Sequence, residues 1–432
     1  MTETLVIGAG FTGLAAARDL ARAGQRVTVV EAEDFPGGLA GSFATEGAPL
    51  DKFYHHWFTS DHEIMALVDE LGLADQITVQ PTLTGVYLNN TTYRLSTPLD
   101  LLRFPALGLI DRLRLGLLAL RVRRVRDWRA LETLTAADWL RALGGERVFR
   151  VMWEPLLRGK FGHHAEEVSA VWFWNKLKLR GGSRGKAGEE RLAYVRGSFA
   201  RVAEALVDDI RDAGGTVRLS SPVARLERRG GRWIADGPWG EVAADRVIAT
   251  PALPVVADMI AAWADPAYLA QLRAIPWLAN LCLVLELDRP LGSTYWLNVN
   301  DPDFPFVGVI EHTRFQDAAQ YGGRHVVYLS KYLPAEDRLY RMTDDQVLAF
   351  ALPHLQRMFP AFRPAWVQRA HVWRAPWAQP VVGRQYSALI PAEDGPLPGL
   401  HLCSMAQIYP EDRGTNHAVR EGRRIAARLI GG

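Results

Sequence analysis

Apolar positions change period several times along this chain, and the changes mark its elements. Leu5, Val6 and Ile7 run without a polar break, which predicts a short strand buried on both faces. From Gly13 to Ala23, Leu14, Ala17, Leu20 and Ala21 recur at helical spacing, and Gly24 supplies the stop. Val27 to Val30 reads as a second strand with Glu31 at its end. Farther on, Val217 to Leu219, Val223 to Leu226, Trp233 to Ala235 and Val242 predict short strands, and Val247 to Pro251 a strand ending in a turn. Val284 to Leu287, Trp296 to Val299 and Val326 to Leu329 predict strands of a second sheet. At the far end Pro398 to Ser404 reads as a turn leading into a strand. Thr415 to Ile430 follows as a helix with Ala418, Val419, Ile425, Ala426 and Leu429 on its apolar side.

Residues 94–160 depart from this rhythm. They show no strand alternation and carry 13 Arg and 1 Lys against 4 Asp and 3 Glu. Leucines interleave with these bases between Leu101 and Arg126, which predicts helices of a helical subdomain.

Composition narrows the function classes. A formal charge of +2 over 432 residues gives no reason to expect a nucleic-acid partner. Cys282 and Cys403 are too few for a disulfide framework, and a reducing cytoplasmic compartment is the simplest expectation. No His/Cys/acid spacing forms a metal motif, and the first residues lack a signal-peptide pattern. No uncharged apolar run is long enough to span a membrane.

The opening residues carry the clearest chemistry. Gly8-Ala9-Gly10-Phe11-Thr12-Gly13 joins the first strand to the first helix. Gly8 permits a tight turn, Gly10 clears the approach of a pyrophosphate, and Gly13 lets helix and strand pack closely. The helix start then offers unpaired amides to the phosphates. Glu31 stands 21 residues beyond Gly10, where a carboxylate accepts bonds from ribose hydroxyls and repels a 2′-phosphate. These residues alone do not separate FAD from NAD. Gly37-Gly38, just after the acid, adds a place for backbone to approach an extended dinucleotide.

The stretch VIGAGFTGLAAARDLARAGQRVTVVEAEDFPGGLAGSF resembles the FAD-binding opening of the superfamily that contains protoporphyrinogen oxidase, phytoene desaturases, amine oxidases and UDP-galactopyranose mutase. The resemblance implies FAD contacts at Gly8, Gly10, Gly13, Glu31 and Gly38; Leu39 stands where many members have Arg. The C-terminal return resembles the second FAD motif of the same superfamily and implies contacts at Asp412, Arg413, Gly414 and Asn416. Val223 is expected to meet the adenine through its backbone. HHWFTS is similar to the flavin-proximal histidine segment of UDP-galactopyranose mutase, which makes His56 and then His55 the implied active-site residues.

The expected architecture is α/β: a Rossmann-like FAD-binding core, a mixed β-sheet substrate domain and a helical subdomain. The FAD domain is split over 1–93, 191–250 and 386–432, the helical subdomain takes 94–190, and the substrate domain takes 251–385. Rings and bases in the helical part could wall a substrate cavity and hold an anionic group: Arg158, Lys160, Trp174, Lys178 and Arg180. Gly181 to Gly188 reads as an exposed loop that could serve as a lid. Tyr409 is a further candidate beside the flavin, although one tyrosine does not make an aromatic sandwich. Ala279 to Leu285 has no lysine where amine oxidases often place one, which favours protoporphyrinogen-oxidase-like or desaturase-like hydride transfer to flavin N5 from a small organic substrate, lipophilic or anionic. Two alternatives stay open, a redox-neutral flavin mutase acting on a nucleotide sugar and a catalytically silent flavin-binding protein. Residues 94–160 leave open packing of ordinary helices, an entrance for an anionic substrate, or, at 94–130, contact with an anionic membrane surface. The sequence does not indicate an oligomeric state.

Overall fold

Three distant parts of the chain build one parallel sheet. In the computed structural model, which describes residues 2–182 and 189–431 and the side chains outside 180–188, its strand order is Thr216–Arg218, Arg26–Val30, Glu3–Ile7, Arg246–Ala249 and Leu400–Leu402. Leu5 pairs with Thr28 on one side and Val247 on the other. Both neighbours therefore cover the opening strand, which explains its unbroken apolar run. Leu5 and Ile7 enter one core, while Val6 enters the other.

Helix Phe11–Arg22 lies on the second face between Ala200–Asp212 and Thr415–Gly431. A Cβ on Gly422 would stand 2.3 Å from the Thr12 carbonyl, so the final helix meets the first at backbone distance. Buried Arg18 ties this layer together through Asp209 at 2.5 Å and Glu70 at 2.7 Å. The antiparallel strands Arg225–Arg229, Arg232–Gly237 and Gly240–Ala244 cover the opposite face with Leu226 and Trp233.

The second large sheet has seven strands in the order Val367–Pro380, Trp277–Leu287, His325–Leu333, Gly308–Glu311, Trp296–Val299, Thr84–Leu88 and Thr91–Arg94. It is mixed, because Trp296–Val299 runs parallel to Thr84–Leu88 and the other pairs are antiparallel. Residues 84–93, placed with the first segment by chain position, thus hydrogen-bond into the substrate sheet. Helices Pro98–Arg103, Leu109–Arg124, Ala136–Gly144, Glu154–Phe161 and Ala170–Gly182 form the helical part. Gly181 and Gly182 end the last of these, and the rest of the glycine-rich stretch expected as a lid lies outside the described residues. The α/β core, mixed sheet and helical part match the expected architecture.

Candidate functional site

The glycine turn is built by contact distances. Gly8 has φ +101°, and a Cβ there would stand 2.4 Å from Thr250 Oγ1. A Cβ on Gly13 would stand 2.0 Å from the Gly8 carbonyl, so the helix can start against the turn only without one. Gly10 differs: its Cβ would meet nothing within 4 Å. It precedes helix Phe11–Arg22 with no side-chain cap, leaving the first amides available to an anion. Gly38, at φ +59°, brings its backbone beside Gly10, where an added Cβ would lie 3.3 Å from the Gly10 Cα.

Glu31 closes the other end of this cradle. Its carboxylate accepts from the Ala9 amide at 2.6 Å and the Glu33 amide at 3.0 Å. Burial raises its pKa while those amides oppose the rise. The Ser221 amide donates to the Glu31 carbonyl at 2.7 Å, which turns the chain past the strand end. Val223 therefore sits in a half-buried loop, two residues before strand Arg225–Arg229, rather than inside the strand expected from Val223 to Leu226.

The C-terminal segment meets both the helical part and the second sheet. Asp412 lies 2.6 Å from Lys176 Nζ and 3.8 Å from Lys160 Nζ. Burial alone would raise the Asp412 carboxyl; Lys176, Lys160 and Arg413 together hold it far below the usual carboxylate range. Burial pushes Lys160 down to about 7 against the opposing pull of Asp412. Arg413 donates to Gln379 Oε1 at 3.1 Å and to the Tyr332 hydroxyl at 2.8 Å. Gln379 in turn donates to Asp412 at 3.3 Å. A Cβ on Gly414 would meet nothing within 4 Å. Asn416 Oδ1 accepts from the Glu63 and Ile64 amides at 3.0 and 3.1 Å, so its carbonyl anchors the start of helix His62–Glu70.

His55 and His56 point differently. His55 Nδ1 is buried without a hydrogen-bond partner, and burial, with Arg413 nearby, pushes the imidazole down to about 3. It is therefore neutral near pH 7. His56 Nδ1 lies 3.0 Å from the Tyr295 hydroxyl, with the rings of Phe58 and Trp296 around it. Tyr409 donates to Glu132 at 3.0 Å and packs against Trp128 and Tyr386.

The five residues proposed to hold substrate divide by helical phase. Lys160 enters the buried cluster. Arg158, two residues earlier, is exposed and bonds Glu154 at 2.9 Å and Glu166 at 3.2 Å. Trp174 is buried core, its indole donating to the Val122 carbonyl at 3.2 Å, and exposed Lys178 lies over it. Trp172 and Lys176 occupy the opposite side of the same helix, about 200° round at two residues' offset. Arg180 lies outside the described side chains. Lys176, Tyr332 and Gln379 were missed by sequence reasoning. Helical phase with Trp172 could have singled out Lys176; nothing local marks the other two, which reach Arg413 from separate strands.

These residues fit a bound flavin dinucleotide. The open positions at Gly10 and Gly414 leave backbone amides approachable, Glu31 retains acceptor capacity, and the orphan His55 Nδ1 awaits a polar partner. Among the described residues there is no group of His, Cys, Asp and Glu that could hold a metal ion, and no helix long and apolar enough to cross a membrane.

Comparison with known proteins agrees over nearly the whole chain. Residues 11–430 match the model of the flavin containing amine oxidoreductases. A protein named "Probable zeta-carotene desaturase" from Synechococcus elongatus is 25% identical over 410 residues, covering 83% of this chain and 84% of that protein. A phytoene dehydrogenase from Streptomyces griseus is 30% identical over 290 residues, covering 59% of this chain and 55% of its own. The solved structure of cyclohexylamine oxidase from Brevibacterium oxydans superposes with a TM-score of 0.72 at 20% identity, covering 100% of this chain and 99% of that one. The chain spans little more than half of the phytoene dehydrogenase, and the structural likeness speaks for the fold alone. The chain belongs to the flavin containing amine oxidoreductase family and is a flavin-dependent oxidoreductase.

Proposed function

We propose that the protein binds FAD and removes a hydride from a C–H bond of a neutral or anionic, largely apolar organic substrate, in the manner of a polyene desaturase or protoporphyrinogen oxidase. The observation that carries this reading is the charge of the buried cluster. Lys160, Lys176 and Arg413 gather round Asp412, and nearby Asp61 is pushed up to about 6 by burial. With Asp61 ionised, Lys176 and Arg413 balance the two carboxylates, and Lys160, half-protonated near pH 7, leaves the cluster with no net negative charge. A protonated amine brought to this junction finds its carboxylates already matched by cations, whereas a carboxylate or a neutral polyene needs none of them. The lack of a lysine in Ala279 to Leu285 points the same way.

When bound, the flavin supplies the two-electron acceptor. The chain's own groups hold and orient. The amides at the start of helix Phe11–Arg22 receive the pyrophosphate, Glu31 the ribose, and the backbone around Val223 the adenine. Gly414 permits close approach at the C-terminal return, and the bonds of Arg413 to Tyr332 and Gln379 fix that return against the substrate sheet. Neutral His55 presents a nitrogen without adding charge, and Tyr295 orients His56. Trp172 and Tyr332 lie beside Lys160, with ring centroids 4.8 and 5.2 Å from its Nζ, and cover that side of the cluster.

The nucleotide-sugar reading loses support because two of its cations lie apart from Lys160: Arg158 is engaged by two glutamates at the surface, and Lys178 is exposed on the far side of its helix. Anaerobic spectra of the purified protein during a substrate-class screen test the proposal. Bleaching of the flavin by a polyene or porphyrinogen, with a dehydrogenated product, is expected. Bleaching by amines alone, or turnover of a nucleotide sugar by reduced protein without net electron transfer, would overturn it.

A further inference from the structure

Thirteen large apolar side chains are exposed among the described residues, and seven of them lie on helices Pro98–Arg103 and Leu109–Arg124. Leu109, Ile110, Leu113, Leu117 and Leu120 are between 50% and 74% exposed. At about 100° per residue they fall within an arc of roughly 100°. Leu115, Leu118 and Val122 on the opposite face are buried and hold the helix to the protein. The helix thus has two apolar faces, of which the core uses only one. Leu99 and Leu102 on the preceding helix are 52% and 56% exposed and extend the patch.

The charges around this patch are mainly of one sign, with exposed Asp127, beside Arg126, paired to Arg129. Arg103, Arg121, Arg123, Arg124 and Arg126 are exposed and make no ion pair among the described residues. The two acids of these helices turn away from solvent: Asp100 forms a capping box with Thr97, and Asp111, its side chain 13% exposed, faces Arg114 and Arg147. Leucines rimmed mainly by arginines are complementary to lipid tails beneath anionic headgroups. A second copy pairing face to face would set the same arginines against one another.

We propose that this face docks on the surface of an anionic lipid bilayer, with the helices lying in the interface. Trp174 joins the core side of helix Leu109–Arg124 to helix Ala170–Gly182, whose other side carries Lys176 to Asp412. Lipid would then lie behind the helices that wall the buried cluster. The docking stands whichever substrate is oxidised.

The test is co-sedimentation of the flavin-loaded, full-length protein with vesicles of phosphatidylcholine, with and without phosphatidylglycerol, at low salt. Binding to the anionic vesicles is expected, with Arg121→Gln and Arg123→Gln each weakening it about fivefold. The double variant Leu113→Glu/Leu117→Glu should lose it altogether. Both leucines are exposed, so flavin content and circular dichroism should match the parent. Protein that stays in the supernatant, equal binding to both vesicle types, or binding that the glutamates leave intact overturns the proposal. A dimer dispersed by the same glutamates, without vesicle binding, assigns the face to a second copy instead.

Discussion

Adding one methyl group at Gly10 and one at Gly13 should have opposite consequences, though the two positions are three residues apart. At Gly13 the new Cβ would lie 2.0 Å from the Gly8 carbonyl, so helix and turn must separate by about 1 Å to reach even a tight contact. Overpacking of this kind costs about 3 kcal/mol at its upper end. The upper end applies because both partners are backbone and neither can swing aside. Replacing a helical glycine by alanine returns about 1 kcal/mol. Gly13→Ala should therefore destabilise by about 2 kcal/mol. At Gly10 the methyl meets nothing within 4 Å, and φ of −72° suits any residue, so Gly10→Ala should cost less than about 1 kcal/mol as a change of helix cap. Its methyl would instead occupy the approach of the pyrophosphate to the helix amides. Losing one charged hydrogen bond costs about 1.5 kcal/mol or more, so flavin should bind at least about tenfold more weakly. Urea unfolding of flavin-free protein and flavin titration of each variant separate the two effects. Gly10→Ala protein that retains parental flavin affinity, or Gly13→Ala protein as stable as the parent, refutes this account of the turn.

Asp412→Asn should destabilise the protein by about 3 kcal/mol in urea unfolding, since it leaves Lys160 and Lys176 without their carboxylate, and adding Lys160→Met should recover part of the loss. Lys160 is neutralised near pH 7 when folded and near 10.5 when unfolded, so the unfolded chain binds the extra proton between those values and native stability should rise with pH across that window. Unfolding midpoints of Lys160→Met should lack that part of the rise. Asn416→Ala should cost about 1 kcal/mol by uncapping the Glu63 and Ile64 amides. Flavin loss with unchanged stability of the flavin-free protein would place Asn416 at the cofactor instead.

Local chemistry made the opening unit legible. An unbroken apolar run, three glycines and an acid after the next strand each act through neighbours close in sequence, and the folded turn uses them at the contacts their spacing requires. The final helix was equally readable from its period, and the close approach of Gly422 to Thr12 completes the layer that its apolar face demanded. Local signals did not separate the bases of the helical region. Arg158 and Lys160 differ by two residues, as do Lys176 and Lys178, yet in each pair one faces Asp412 and the other faces solvent. That choice follows from which side of each helix the core occupies. Likewise, composition revealed that residues 94–130 join leucine to arginine, while only packing decided which leucines were buried. The sequence by itself determined a dinucleotide cradle and the family chemistry attached to it. The tertiary structure decided the charge that surrounds the C-terminal return, because Tyr332, Gln379, Lys160 and Lys176 reach Arg413 and Asp412 from elements that are neighbours only in the folded chain.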